Sequence, residues 1–226
     1  MIKKGIKKFL NKIGFEIKKI KNEKPNPIQL WETDGYFNVL YKEVKENTLV
    51  DKVRCFMLYQ FLKQALKLDG DAAEIGVYKG GTAKLLAKII KNKNIYLFDT
   101  FAGMPQTSEM DIHKKGDFSD TVFNDVSDYL RDFKNIFFYQ GLFPETAGPI
   151  KNKIFSFVHI DVDIYKSVFD CCDFFYSRMV KGGIMIFDDY GFLSCPGAKI
   201  AVDHFFKNKK EIPCYLQSGQ CLIIKL

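Results

Sequence analysis

The chain has 226 residues, 47% of them hydrophobic and 27% charged, which suits one globular domain with a core of its own. Its formal net charge of +7 is concentrated at the start, because residues 1–24 hold nine lysines and two glutamates. A basic segment attached to a neutral body argues against a broad nucleic-acid-binding surface.

Residues 1–24 are predicted to form a basic amphipathic helix, since apolar residues recur between the lysines at helical spacing. Such a helix would either lie on an anionic membrane through residues 1–20 or pack on protein. No apolar run is long enough to span a bilayer, and lysines interrupt every stretch that could serve as a secretory signal. The expected location is the cytoplasm, peripheral to the inner membrane face if the helix binds lipid.

The six cysteines are predicted to be reduced thiols, as in a cytoplasmic protein. None forms a C-x-x-C pair, and Cys171 and Cys172 are adjacent, which is an awkward pair to bridge. The spacing therefore predicts neither a disulfide framework nor a zinc site.

Residues 25–50 are predicted to be a linker or lid segment, because they begin with two prolines among polar residues. A helical pattern starts after Asp51, a suitable N-cap residue, and opens the predicted main domain at 51–226. Apolar strands then alternate with helical patterns, and the last two strands can form a hairpin around Ser218 and Gly219. The alternation predicts an α/β fold: a mostly parallel sheet with helices on both faces and a C-terminal antiparallel hairpin.

The first strand–loop–helix, AEIGVYKGGTAKLL, predicts a cofactor site. Its spacing from Gly76 to Gly80 is one residue too long for a dinucleotide fingerprint, which disfavours a nicotinamide-dependent oxidoreductase and suits S-adenosylmethionine. Glu74 is expected near the amino-acid end of that ligand, and Asp99, at the end of the next strand, near its ribose hydroxyls.

The segment 102–121 is too long for a plain connection, so it is predicted to be either a lid or a surface loop. As a lid it would bring Ser119 to the adenine and His113 to the substrate.

Two pairs of aspartates follow apolar strands: Asp161 with Asp163, and Asp188 with Asp189. The ends of neighbouring parallel strands open onto one cleft, so these carboxylates are expected to meet there. Clustered hard oxygens suit Mg²⁺, although any single one of them could simply cap the next helix. His159, within the preceding strand, is expected to be a buried core histidine.

Seven segments resemble, in the same order, the macrocin O-methyltransferase (TylF/MycF/NovP-like) family: EIGVYKGGT, LFDTFAGMP, GDFSDT, QGLFPET, HIDVDIYKS, GGIMIFDDYG and AVDHFF. Members are S-adenosylmethionine- and Mg²⁺-dependent enzymes that methylate sugar hydroxyls. The resemblance implies a Rossmann-like class I methyltransferase fold, a sugar-containing acceptor and a homodimer.

The resemblance also implies a role for each matching residue. Asp161, Asp188 and Asp189 would bind the metal, and Asp163 would be the general base. Tyr165 and His113 would contact the substrate. The implied cofactor-binding residues are Glu74, Gly76, Tyr78, Gly81, Thr82, Asp99, Thr100, Phe101, Ser119, Gln140, Gly141 and Asp161.

Two other functions stay open at this point. Metal-dependent methyltransferases of catechols and other phenols tend to place a lysine three residues after the strand-end acid, where this chain has Ile164. A protein that binds S-adenosylmethionine without reacting is disfavoured by the four intact aspartates.

Overall fold

The computed structural model of the chain describes residue 12 and residues 27–226. Residues 31–226 form one compact unit, which contains the strands and the main core. The helix predicted over residues 1–24, with its lipid or protein contact, lies outside the described residues except for residue 12. Among the described helices, none is both long enough and apolar enough to cross a membrane.

Seven helices, two 3₁₀ turns and seven strands follow one another along the described part of the chain. The helices are α1 Leu30–Thr33, α2 Gly35–Val44, α3 Lys52–Ala65, α4 Gly81–Ile89, α5 Phe123–Leu130, α6 Tyr165–Tyr176 and α7 Pro196–Phe206. The strands are β1 Asp71–Ile75, β2 Ile95–Asp99, β3 Ile136–Gln140, β4 Phe155–Ile160, β5 Met179–Phe187, β6 Cys214–Tyr215 and β7 Cys221–Ile224. The 3₁₀ turns are Lys45–Asn47 and Glu145–Ile150.

The strands form one sheet in the order β3-β2-β1-β4-β5-β7-β6. Strands β1 to β5 are parallel, and β7 pairs antiparallel with both β5 and β6, so the predicted parallel sheet with a closing hairpin is confirmed. The strand order reverses between β1 and β4, and ligands of open α/β sheets bind at such a switch point.

Helices cover both faces of the sheet, which explains why β4 is buried at every residue. On one face α6 and α7 pack on the sheet through a cluster that includes Phe175 and Ala201. On the other face α3, α4 and α5 pack through a cluster that includes Leu62, Leu86 and Leu130. The core thus fixes the strand ends, where the candidate site lies.

The predicted linker over 25–50 needs correction, since much of it is helical. Phe37, Leu40 and Val44 of α2 are buried against α3 and α4 in a third cluster. Asp34 caps α2 by accepting a hydrogen bond from the backbone N–H of Phe37 at 2.9 Å. The apolar and aromatic residues of this stretch supply buried area that a linker lacks.

The helix predicted after Asp51 is confirmed, with Asp51 accepting from the backbone N–H of Arg54 at 2.9 Å. Helix α6 ends at Tyr176, because β5 already begins at Met179. Met179 pairs with Phe155 ahead of an irregularity in the register between β4 and β5.

Candidate active site

A cleft of about 310 Å³ opens at the carboxyl ends of the parallel strands, at the β1/β4 switch point. Polar groups line its floor and apolar side chains much of its wall, which is the usual make-up of a small-molecule site. The sequence-predicted residues that line it are Gly76, Tyr78, Thr82, Asp99, Thr100, His113, Gly141, Asp161, Asp163 and Asp189.

The turn after β1 requires glycine at residue 76. Its φ is +86°, and a Cβ there would lie 1.7 Å from the carbonyl oxygen of Asp161. The backbone N–H of Gly76 donates to the carbonyl of Phe98, and that of Asp161 donates to Ile75, both at 2.9 Å. The absence of a side chain thus lets the ends of β1, β2 and β4 meet at the floor of the cleft.

We expect Gly76→Ala to destabilise the protein by more than about 2 kcal/mol and to abolish cofactor binding, because the strand ends would be forced apart. Gly116→Ala is the matched control: its φ is +90°, but nothing lies within 4 Å of an added Cβ. Urea denaturation of both variants would separate the clash from the shared backbone strain. Equal losses in the two variants would contradict a steric role for Gly76.

Asp99, at the end of β2, organises the backbone on one side of the cleft. Its Oδ2 accepts from the backbone N–H of Val77 at 2.7 Å and of Tyr78 at 2.8 Å. Its Oδ1 accepts from the N–H of Phe101 at 2.7 Å. Each carboxylate oxygen can accept more than one hydrogen bond, so these contacts leave acceptor capacity for ribose hydroxyls.

Five residues predicted to bind the cofactor do not line the cleft. Gly81 lies against residue 47, where a Cβ would be 2.7 Å from the backbone of Asn47. Phe101 is buried and packs on the ring of Phe123 at 5.3 Å. The others are Glu74, Ser119 and Gln140, of which Ser119 and Gln140 are exposed. These five residues match the family's motifs in sequence, but none of them lines the cleft in the structure.

Glu74 is fully buried and pairs with His159 instead of facing the cleft. Nδ1 of His159 lies 2.8 Å from Oε1 of Glu74, and its Nε2 lies 3.5 Å from Oδ1 of Asp188. Burial alone favours the neutral ring, but the nearby carboxylates of Asp188 and Glu74 outweigh it and raise the pKa of His159 to about 10. The imidazolium therefore connects the middle of the sheet to the aspartate cluster.

We expect Glu74→Gln to cost about 3 to 5 kcal/mol of stability, because it leaves the buried imidazolium of His159 without its partner. The contribution of a raised histidine pKa is fully present below about pH 6.5 and is lost as the pH rises through about 10. Denaturation at pH 6 should thus show the loss of stability in Glu74→Gln, with Glu145→Gln, at an exposed residue, as control. A large fall in cofactor affinity with unchanged stability would instead support the predicted role of Glu74 in cofactor binding.

The three predicted metal ligands converge. Carboxylate oxygens of Asp161, Asp188 and Asp189 all lie within 4.8 Å of one another. Asp161 and Asp189 line the cleft, whereas Asp188 is fully buried beneath it. The strand-end positions thus bring the acids together as predicted, with one of them deeper than the other two.

Arg54, which the sequence analysis missed, contacts this cluster. Its Nη1 donates to Oδ2 of Asp188, and its guanidinium stacks on the ring of Phe192 at 4.9 Å. Nε2 of Gln220 donates to Oδ1 of Asp188 at 2.7 Å. Burial opposes ionisation of Asp188, but His159 and Arg54 outweigh it and hold its pKa below the usual range.

Asp161 and Asp189 are less well compensated, because His159 and Arg54 only partly offset the burial of Asp161 and form no ion pair with it. Burial and the charge of Asp188 raise the pKa of Asp161 well above its usual range, and burial with the charges of Asp163 and Asp161 does the same for Asp189. In the described part of the chain, no cationic side chain lies within ion-pair distance of either carboxylate. Two converging carboxylates without a cation are a donor set that fits Mg²⁺, with Asp188 as a third ligand through its spare lone pairs.

Asp163 stands next to this cluster in a left-handed conformation, with φ at +56°. Its backbone N–H donates to Oδ2 of Asp189 at 3.1 Å, which fixes its orientation. Burial raises the pKa of the Asp163 carboxyl, an effect partly offset by a hydrogen bond from Cys195 at 3.3 Å and by His113. A carboxylate with a raised pKa that faces the cleft is suited to accept a proton.

The loop 102–121 forms one wall of the cleft. Gly103, Met104, Pro105, His113, Phe118 and Thr121 line the cavity. Oδ1 of Asp111 accepts from the backbone N–H of Tyr165 at 2.7 Å, which ties the loop to the start of α6.

Tyr165, predicted to bind substrate, is directed elsewhere. Its hydroxyl lies 2.7 Å from Nδ1 of His204 in an exposed contact, and the side chain does not line the cleft. The hydroxyl therefore joins α6 to α7, while His113, the other predicted substrate residue, does face the cavity.

The sheet order, the glycine turn after β1 and the acid at the end of β2 define a class I methyltransferase fold. The chain belongs to the macrocin-O-methyltransferase (TylF) family, whose model matches residues 45–218. Members of this family are O-methyltransferases, and the family implies S-adenosylmethionine as the methyl donor.

Two curated relatives and one solved structure illustrate the similarity. The chain is 26% identical over 153 residues to demethyldecarbamoylnovobiocin O-methyltransferase of Streptomyces niveus, covering 60% of this chain and 58% of the relative. It is 23% identical over 146 residues to 8-demethyl-8-(2,3-dimethoxy-alpha-L-rhamnosyl)-tetracenomycin-C 4'-O-methyltransferase of Streptomyces olivaceus, covering 57% and 56%. The structure of the O-methyltransferase NovP matches with a TM-score of 0.74 at 19% identity, over 84% of this chain and 98% of that one. The chain thus spans somewhat more than half the length of these curated relatives.

Proposed function

We propose that this chain transfers a methyl group from S-adenosylmethionine to a hydroxyl group of a sugar, in a reaction that depends on Mg²⁺. The observation that carries the proposal is the convergence of Asp161, Asp188 and Asp189 next to Asp163, at the edge of the cleft. A sugar hydroxyl is a poor nucleophile near neutral pH, so its methylation needs both a positive charge and a proton acceptor close by.

Each part of the site supports one element of this reaction. The carboxylates of Asp161, Asp188 and Asp189 would hold Mg²⁺, which would supply Lewis-acid stabilisation of the acceptor oxygen. Asp163 accepts the hydroxyl proton, since its raised pKa brings the carboxylate closer to the basicity that the step requires. The Gly76 turn and Asp99 would bind the donor at the strand ends beside the acids, and transfer would require its methyl group and the hydroxyl to be aligned.

A glycoside is the favoured acceptor. By their printed names, one curated relative methylates demethyldecarbamoylnovobiocin, and the other methylates a tetracenomycin C that carries a rhamnosyl group. The cleft offers acids for a polar sugar edge and apolar groups such as Met104, Leu142 and Phe192 for an aglycone or lipid portion. Natural-product glycosides, polysaccharide and lipid-linked sugars therefore form the acceptor class to test.

Incubation with labelled S-adenosylmethionine and a panel of glycosides and catechols, with and without a chelator, tests the proposal. We expect methyl transfer to a glycoside that stops with chelator and returns with Mg²⁺. Transfer to catechols alone would favour a phenol methyltransferase. Full activity in chelator would refute the metal-dependent mechanism, and cofactor binding without transfer to any acceptor would favour a non-catalytic binding protein.

A further inference from the structure

A second cluster of metal-binding side chains lies beside the aspartates, made of His113, Cys195 and Asp163. Sγ of Cys195 lies 3.3 Å from Oδ1 of Asp163 and 3.7 Å from Nε2 of His113. The third separation, from Nε2 of His113 to Oδ1 of Asp163, is 3.9 Å. We propose that these three atoms form a separate, inhibitory site for a transition-metal ion of the Zn²⁺ class.

The separations are close to those of a tetrahedral site. Zn–N, Zn–S and Zn–O bonds of ordinary length place their donor atoms about 3.4 to 3.6 Å apart. The donors of this cluster already lie 3.3 to 3.9 Å apart, so the largest adjustment is about 0.5 Å. All three residues line the cleft, which gives an ion a route of entry and leaves room for water as a fourth ligand.

The histidine is oriented by a carboxylate in the manner of metal-binding histidines. Nδ1 of His113 lies 3.1 Å from Oδ2 of Asp117, and the backbone N–H of Lys114 donates to the same oxygen at 3.0 Å. A hydrogen bond from Nδ1–H to Asp117 leaves the lone pair of Nε2 directed at Cys195 and Asp163. This carboxylate–histidine arrangement is a second observation, independent of the three donors, that indicates a metal site.

The donor set distinguishes this site from the aspartate site. A thiolate and an imidazole favour Zn²⁺ and its neighbours in the transition series, whereas three carboxylates favour Mg²⁺. Burial and the nearby Asp189 raise the pKa of the Cys195 thiol, so it is protonated without metal and donates to Asp163. Metal binding replaces that hydrogen bond with two metal–ligand bonds and releases one proton to solvent.

The inhibitory role rests on the proposed function, because Asp163 is the base in that reaction. A metal-bound Asp163 carboxylate has lost the basicity that proton transfer needs. Micromolar Zn²⁺ added in the presence of excess Mg²⁺ should therefore suppress methyl transfer, and a chelator selective for Zn²⁺ should restore it. Metal binding itself can be measured whether or not an acceptor is known.

Titration of the full-length, metal-stripped and reduced protein with Co²⁺, in excess Mg²⁺, tests the site. We expect one Co²⁺ per chain, with a thiolate-to-cobalt charge-transfer band and the strong visible absorption of four-coordinate Co²⁺, both displaced by Zn²⁺. Cys195→Ser should remove the charge-transfer band, and Asp117→Asn should weaken binding by about 10-fold or more. The control Cys214→Ser changes an exposed cysteine and should leave the spectrum as in wild type.

Two outcomes would overturn the proposal. A wild-type protein that shows no thiolate-to-cobalt band has no such site, and this result does not depend on any variant folding. A band that persists in Cys195→Ser, or that disappears in Cys214→Ser, would assign the metal to a different thiol. Failure of every methyl-transfer assay would leave the titration result unchanged and would count only against the proposed function.

Discussion

Asp163→Asn should lower the rate of methyl transfer by about 10²- to 10⁴-fold, the usual contribution of a general base. The affinity for S-adenosylmethionine should stay within a few-fold of wild type, because Asp163 acts on the acceptor. Asparagine tolerates the left-handed backbone that residue 163 adopts, and its amide oxygen still accepts from the Cys195 thiol. The substitution therefore removes the basicity and preserves the shape.

The pH profile separates this role from a structural one. A base must be deprotonated, so kcat/KM falls as the pH drops through the pKa of Asp163, which burial raises above the usual aspartate range. In Asp163→Asn that acid limb should disappear, while the exposed Asp173→Asn on α6 should keep both the rate and the limb. A variant that retains the wild-type rate, or an unchanged acid limb, would show that another group takes the proton.

The fold could be predicted from the sequence because its determinants are local. Apolar runs such as residues 155–160 and the glycine turn at residue 76 mark parallel strands and their loops without knowledge of long-range contacts. The helices within 25–50 were missed because their stability comes from packing on α3, which no short stretch reveals. Local patterns thus predict the α/β class and the closing hairpin, whereas the strand order and the packing of α2 depend on tertiary contacts.

The candidate site could be predicted only in part, for the same reason. Asp161 and Asp189 lie at strand ends, whose convergence follows from the topology. Arg54 and Cys195 come from segments that are distant in sequence, and no spacing rule brings them to the cluster. The position of Glu74 in the first strand predicts a contact with the amino-acid end of the cofactor, but its partner across the sheet, His159, makes it a buried ion-pair residue.

Asp189→Asn should make the metal-free protein more stable while it abolishes Mg²⁺-dependent activity. Asp189 and Asp161 repel each other without a cation of their own, and the substitution removes one of the two charges. Because folding raises the pKa of Asp189, its ionised carboxylate destabilises the metal-free fold, and we expect the variant to be the more stable protein at pH 8. Each kcal/mol gained would raise the unfolding temperature of a domain of this length by about 2 to 4 °C.

The dependence on pH gives the sign of the effect. Because folding raises the pKa of Asp189, its favourable contribution is fully present below the unfolded pKa near 3.9 and is lost as the pH rises through the folded pKa. The unfolding temperature of the metal-free wild type should thus decrease towards pH 8, and added Mg²⁺ should raise it again. In Asp189→Asn both the decrease with pH and the increase with Mg²⁺ should be smaller, while Asp173→Asn should behave as wild type. A variant that is less stable than wild type at pH 8 without metal would mean that the Asp189 carboxylate is compensated by the protein, and the case for a bound divalent cation would fail.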